Sequence, residues 1–118
     1  MTEKTKTNNP VNLKDIPPFE ALPGIYRQTL AYNSETMLCV FHLKKNAEIP
    51  LHNHPNVQIG FIISGKIKFL SDDFNREFIA STGDSYVFEA DERHGAKVLE
   101  ETRLIEVFYP YRPEYKPI

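Results

Sequence analysis

At 118 residues the chain is long enough for one hydrophobic core and too short for two. A formal net charge of −2, without a clustered basic face, removes the electrostatic reason to expect nucleic acid as a partner. No apolar run approaches the roughly 18 residues of a membrane span and the opening MTEKTKTNNP is polar rather than signal-like, so a cytoplasmic protein with no membrane partner is expected.

Residues 1–15, rich in Thr, Lys and Asn with little to bury, read as a flexible arm, which leaves 16–118 as a single domain. The segment IPPFEALPGIY carries three prolines and a glycine among apolar side chains, a composition suited to an extended strip over a sheet or along a barrel edge rather than to a helix. From Ile25 onward strand-like runs recur: IYRQTLAY, TMLCVFHL, EIPLH, VQIGFIIS, KIKFLS, REFIA, DSYVF, AKVL and RLIEVFY. Turn-forming pairs separate them, namely Asn33 with Ser34, Lys45 with Asn46, Ser64 with Gly65, Asp72 with Asp73, and Thr82 with Gly83. Ser64–Gly65 suits a two-residue hairpin. With no amphipathic helix of 10 residues or more, this pattern predicts an all-β sandwich or barrel, for which a double-sheet jelly roll is the natural closed form. VQIGFII is apolar on both parities, so one face is expected to meet the core and the other the N-terminal strip or, in a homodimer, a second subunit. The lone cysteine, Cys39, lies in the apolar run MLCVF and reads as a small buried hydrophobe.

Within this frame the histidines fall into two groups. His52 and His54 are two residues apart, so on an extended strand both imidazoles project from one face, as two adjacent nitrogen ligands of a metal must. Asn53, Pro55 and Asn56 fit a bend that returns the chain so that the Gln58 amide oxygen points to the same place, and His94 is the remaining histidine late in the chain. His42, in VFHLKK, shares a parity with Val40 and Lys44 and reads as structural or surface.

This constellation resembles the metal site of the cupin superfamily. His52, His54, Gln58 and Gly65 fit the spacing of the first cupin motif, and Gly83 with His94 fits the ends of the second. Glu89 and Asp91 stand where the second motif usually carries Pro and Gly. The resemblance implies the jelly-roll cupin barrel, also called the double-stranded β-helix, in a single domain, with His52, His54, Gln58 and His94 as metal ligands. Such a neutral three-histidine, one-amide shell suits a divalent transition metal, Ni, Mn, Fe, Zn or Cu, and excludes little beyond Ca and Mg.

The C-terminal run RLIEVFYPYRPEY leaves two readings open. On a regular strand Glu106 shares a face with Leu104 and Phe108, while Arg103, Ile105, Val107 and Tyr109 face the other way. If Glu106 turns inward, burial raises its pKa toward the range of a general acid or base. If Arg103 turns inward or sits at a strand end, Glu106 is a solvated surface charge.

The stretch from about Gly24 to Tyr115 further resembles the pectin degradation protein family, small cupins that open 4,5-unsaturated uronate monosaccharides into linear keto sugars. LHNHPNVQIGFIISGK, GDSYVF with ERHG, and EVFYPYRPEY carry the likeness. The family's tail has the form D-V-F-x-P-x-R-x-x-Y or F, which implies a catalytic carboxylate at Glu106, an aromatic wall at Phe108 and a substrate-binding arginine at Arg112. Glu106 departs from the family's aspartate by one methylene. What the likeness implies is a metal-dependent enzyme acting on a sugar acid. A metal-dependent dioxygenase, another sugar isomerase and a non-catalytic small-molecule-binding cupin are the alternatives. No nucleophilic triad, phosphate-cradling glycine loop or dinucleotide motif is present in the sequence.

Overall fold

The structure is a computed structural model and describes residues 5–71 and 75–116. Eight antiparallel strands account for most of it: β1 (Phe19–Leu22), β2 (Ile25–Tyr32), β3 (Met37–Leu43), β4 (Glu48–His52), β5 (Val57–Ser71), β6 (Arg76–Ser81), β7 (Ser85–Phe88) and β8 (His94–Tyr109). Single 3-10 turns lie at Leu13–Asp15 and Pro113–Tyr115. Among the described residues no helix is long and apolar enough to cross a membrane.

β5 and β8 organise the barrel because each is long enough to serve two neighbours in succession. The first part of β5 pairs with β7 and the second with β6, while the first part of β8 pairs with β4 and the second with β3. The two long strands also pair with each other from Val57↔Tyr109 to Ser71↔His94. This crossing from one layer to the other closes the jelly roll around a single apolar interior that includes Met37, Leu43, Ile62, Ile67, Phe88, Val98 and Phe108.

The continuity of β5 and β8 corrects the expected segmentation. Ser64–Gly65 does not form a hairpin, and the runs VQIGFIIS and KIKFLS belong to one strand, as do AKVL and RLIEVFY. Ser64 pairs with Arg103 and Lys66 with Glu100, so Gly65 alone faces Glu101 and Thr102, a bulge at which both strands bend. Gly65 has φ +111°, and a Cβ there would run into the Glu101 carbonyl and the Thr102 backbone and hydroxyl. The glycine that reads as a turn signal instead lets two strands touch where they change layers. The other separators fall between strands: Asn33 Oδ1 accepts from the Glu35 and Thr36 amides at 2.8 Å each, and Asn46 and Gly83 have φ of 73° and 91°. The Asp72–Asp73 separator lies outside the described residues.

The proline-containing strip runs as an edge strand, β1 on β2, and Ala21 and Leu22 reach the rim of the barrel cavity. Upstream of it Thr7 N–H donates to Tyr32 O at 3.0 Å, and the Gln28 amide donates to Leu13 O and Ile16 O. The strip does not lie over β5, whose outward side chains Ile59 and Phe61 are 52% and 47% exposed. His42 lies on the outer surface with Nε2 2.8 Å from Glu101 Oε1, and Cys39 is fully buried.

Candidate metal and acid-base site

Four segments meet at one end of the barrel. His52 is the last residue of β4 and pairs with His94, the first of β8, while His54 follows β4 in the bend and Gln58 is the second residue of β5. The expectation of two histidines on one strand is thus met by a strand end and the loop after it. The ring centroids of His52 and His94 stand 4.5 Å apart, those of His54 and His94 5.1 Å, and those of His52 and His54 5.5 Å.

The turn that delivers His94 lacks the family's glycine, and Asp91 takes its place with φ 61°. Aspartate is among the few residues other than glycine that visit this region readily. Its N–H donates to His54 O at 2.8 Å, which ties the two histidine segments together. Glu92 braces the same turn, accepting from the Glu89 amide at 2.8 Å and from the Ser71 hydroxyl at 2.7 Å.

His52 Nδ1–H donates to Pro50 O at 2.9 Å and His94 Nδ1–H to Glu92 O at 2.7 Å, which fixes both tautomers with the Nε2 lone pair free. Among the described residues the buried His94 Nε2 has no hydrogen-bond partner, and an orphaned buried nitrogen is costly. One ligand atom from each of His52, His54 and His94 lies within 4.8 Å of the others, so the three form a cluster suited to hold a metal ion. Burial lowers the His94 pKa to about 4, and burial followed by the Arg112 charge lowers that of His54, so both rings are neutral and ready to coordinate near pH 7.

Gln58 joins this cluster to an acid. Its Oε1 lies 3.0 Å from His54 Nε2, and its Nε2 donates at 2.5 Å to Glu106 Oε2. The amide oxygen only accepts, so His54 Nε2–H is the donor in this contact, and His54 Nδ1 is buried without a hydrogen-bond partner among the described residues. Glu106 is 6% exposed and inward while Arg103 is exposed, which decides the alternative that strand parity left open. The Tyr86 hydroxyl also donates to Glu106 Oε2, at 2.6 Å. Both donors therefore land on one carboxylate oxygen, and Oε1 takes no hydrogen bond from a described residue. Burial pushes the Glu106 carboxyl above the usual carboxylate value, against the opposing pull of the Tyr86 and Gln58 hydrogen bonds and the Arg112 charge.

The tail completes the site. Phe108 is buried with its ring centroid 6.1 Å from that of His54 and 5.5 Å from that of Tyr115. Arg112 lies over the Tyr115 ring, its guanidinium carbon 4.1 Å from the centroid, and donates to the Tyr115 hydroxyl at 2.8 Å. Its Nε is buried without a partner among the described residues. Asn56 anchors the segment through a 2.5 Å hydrogen bond to Pro110 O, and Thr29 Oγ1 donates to Tyr115 O at 2.6 Å. A cavity of about 100 Å³ lies between these groups. His52, Gln58, His94, Glu106, Phe108, Arg112 and Tyr115 line it together with the apolar Ile25, Phe41, Leu43, Ile67 and Leu104.

The sequence assigns no role in the site to Tyr86 or Tyr115, and it marks Asn56 only as a bend residue. Tyr86 carried a signal, since it alternates with Phe88 and so shares the inward parity of DSYVF. The partner that gives it a role, Glu106, is 20 residues away and was not visible locally.

Comparison with known proteins agrees with this geometry. The Cupin domain family model matches residues 39–108. The pectin degradation protein KdgF of Dickeya dadantii (strain 3937) is 31% identical over 106 residues, covering 87% of this chain and 94% of that protein. Among solved structures, an RmlC-like cupin from Shewanella frigidimarina NCIMB 400 superposes with a TM-score of 0.88 at 23% identity, over 95% of this chain and 99% of the other. KdgF from Halomonas sp. gives a TM-score of 0.85 at 24% identity, over 93% and 100%. At these identities the structural matches speak for the fold alone.

Proposed function

Since this chain belongs to the cupin family, we propose that it is a metal-dependent enzyme that opens a 4,5-unsaturated uronate to a linear keto sugar. The observation that carries this reading is the clustering of three imidazoles beside a single cavity that His52, His94 and the buried carboxylate of Glu106 line, with the Gln58 amide bridging His54 to Glu106. The likeness to a pectin degradation protein supports the substrate class.

His52, His54 and His94 with Gln58 Oε1 hold a divalent transition metal. When bound, that ion supplies Lewis-acid polarisation of the substrate's oxygens. The cavity-lining guanidinium of Arg112, held by Tyr115 and with its Nε still lacking an acceptor, takes the sugar carboxylate and orients the ring. Phe108 walls the pocket and excludes water from one side. Glu106 holds Oε2 fixed under two donors and uses Oε1 to move a proton, between an attacking water and the ring carbon that gains hydrogen as water adds across the double bond. The hemiketal so formed opens to the keto sugar, and the proton balance closes on the same carboxylate.

The test is loss of the ultraviolet absorbance of unsaturated galacturonate or mannuronate with the metal-loaded protein. No loss under metal-replete conditions rejects the reading, and oxygen uptake by an iron-loaded sample favours a dioxygenase in its place. We also propose a homodimer through the outer face of β5 and β7, because Ile59, Phe61 and Val87 form an apolar patch with each side chain 47% to 53% exposed. Light scattering that gives a monomer mass at working concentration rejects it.

A further inference from the structure

Tyr86 does not line the cavity, yet the sheet is built to bring it to Glu106. Gly60 pairs with Tyr86 on β7 and with Glu106 on β8, so it stands between them in the ladder. A Cβ at Gly60 would fall on the Tyr86 ring, with Cε2 at 2.7 Å and Cζ and the hydroxyl nearer still. Without that Cβ the phenol lies across β5 and delivers its hydroxyl to Glu106 Oε2 at 2.6 Å. Phe69 packs against the same ring, with centroids 4.5 Å apart.

The geometry points to Tyr86 as a positioning residue for Glu106, admitted by Gly60, which occupies one carboxylate oxygen so that the other is the one presented to substrate. This rests on the acid-base role proposed above for Glu106. A buried tyrosine merely satisfying its own hydroxyl would accept any partner, whereas here the second donor on the same oxygen is Gln58, so the two together pin the carboxylate against rotation. The tyrosine hydroxyl stays protonated and remains a donor, because burial and the adjacent carboxylate charge both raise its pKa well above the ordinary value. The arrangement is also matched to glutamate. A carboxylate one methylene shorter draws back by about 1.5 Å, which breaks a 2.6 Å hydrogen bond.

Two measurements test this. In proton NMR of the substrate-free protein, the Tyr86 hydroxyl gives a slowly exchanging low-field resonance that disappears in Tyr86→Phe and moves in Glu106→Gln; its absence from the unaltered protein overturns the proposal. In kinetics with metal content matched, Tyr86→Phe lowers kcat roughly 10- to 100-fold with KM within about twofold, as expected for a misplaced group. Gly60→Ala reproduces that loss, and Tyr86→Phe adds nothing further in a Glu106→Asp background. A Tyr86→Phe protein with full kcat, even if less stable, assigns Tyr86 to packing alone and overturns the proposal. Should the unaltered protein turn over no unsaturated uronate, the resonance decides: its shift in Glu106→Gln upholds the positioning contact and places the failure with the proposed reaction.

Discussion

Replacing His94 by alanine separates the metal site from the fold. The side chain is 3% exposed, its ring stacks on Phe88 at 4.3 Å between centroids and 6° between planes, and Nδ1–H donates to Glu92 O. Losing an aromatic contact costs about 1 kcal/mol and a neutral hydrogen bond about 1 kcal/mol more. Against this, the metal-free protein is relieved of a buried, unpartnered Nε2. The net destabilisation is therefore about 1 kcal/mol, or a fall in Tm of about 4 °C for a chain of this size. Metal acts on a larger scale: an ion at 100 times its Kd stabilises the folded form by about 2.7 kcal/mol, which raises Tm by about 10 °C. Thermal melts of metal-stripped and zinc- or nickel-supplemented samples, read with elemental analysis, distinguish these contributions. The unaltered protein should show the full rise, and His94→Ala should stay folded with almost none of it. An undiminished metal-dependent rise in His94→Ala would refute the assignment of His94 as a ligand, and outright unfolding would make the histidine structural.

Three further outcomes are expected. Glu106→Gln keeps one oxygen under Tyr86 and Gln58, so its metal content and melting temperature stay close to those of the unaltered protein while turnover of unsaturated uronate falls roughly 10²- to 10⁴-fold; undiminished turnover removes the carboxylate from the mechanism. Gly65→Ala places a methyl against the Glu101 carbonyl at φ +111° and should destabilise the fold by about 3 kcal/mol or more in chemical denaturation, whereas a change under about 1 kcal/mol would show that the crossing of β5 and β8 tolerates a side chain. Cys39, buried and pushed up to about 11 chiefly by desolvation, keeps its proton well above the usual thiol range. Because the folded pKa is raised, the folded state holds this proton more tightly, and that contribution to stability is lost as pH rises from about 9 to about 11. A thiol reagent at pH 8 should therefore react far more slowly with native than with unfolded protein, and equal rates would contradict the burial.

The amino-acid sequence by itself determined the all-β class, the limits of β2, β4 and β7 to within a residue, and the spacing that brings His52, His54, Gln58 and His94 to one place. These are local properties, since side-chain parity, turn propensity and ligand spacing are written in neighbouring residues. Which of Glu106 and Arg103 faces inward was undecidable from alternation, because a strand offers two faces and only closure of the barrel assigns one of them to the core. The same holds for Gly65, whose turn-like signature marks a bend inside a long strand once β8 lies opposite, and for Asp91, whose left-handed conformation is held by the hydrogen bond its N–H donates to His54 O. Tyr86 acquires its partner across Gly60 from strands far apart in the chain. Contacts of that kind exist only after the two long strands have paired, and pairing partners are set by the packing of the whole core rather than by any single segment.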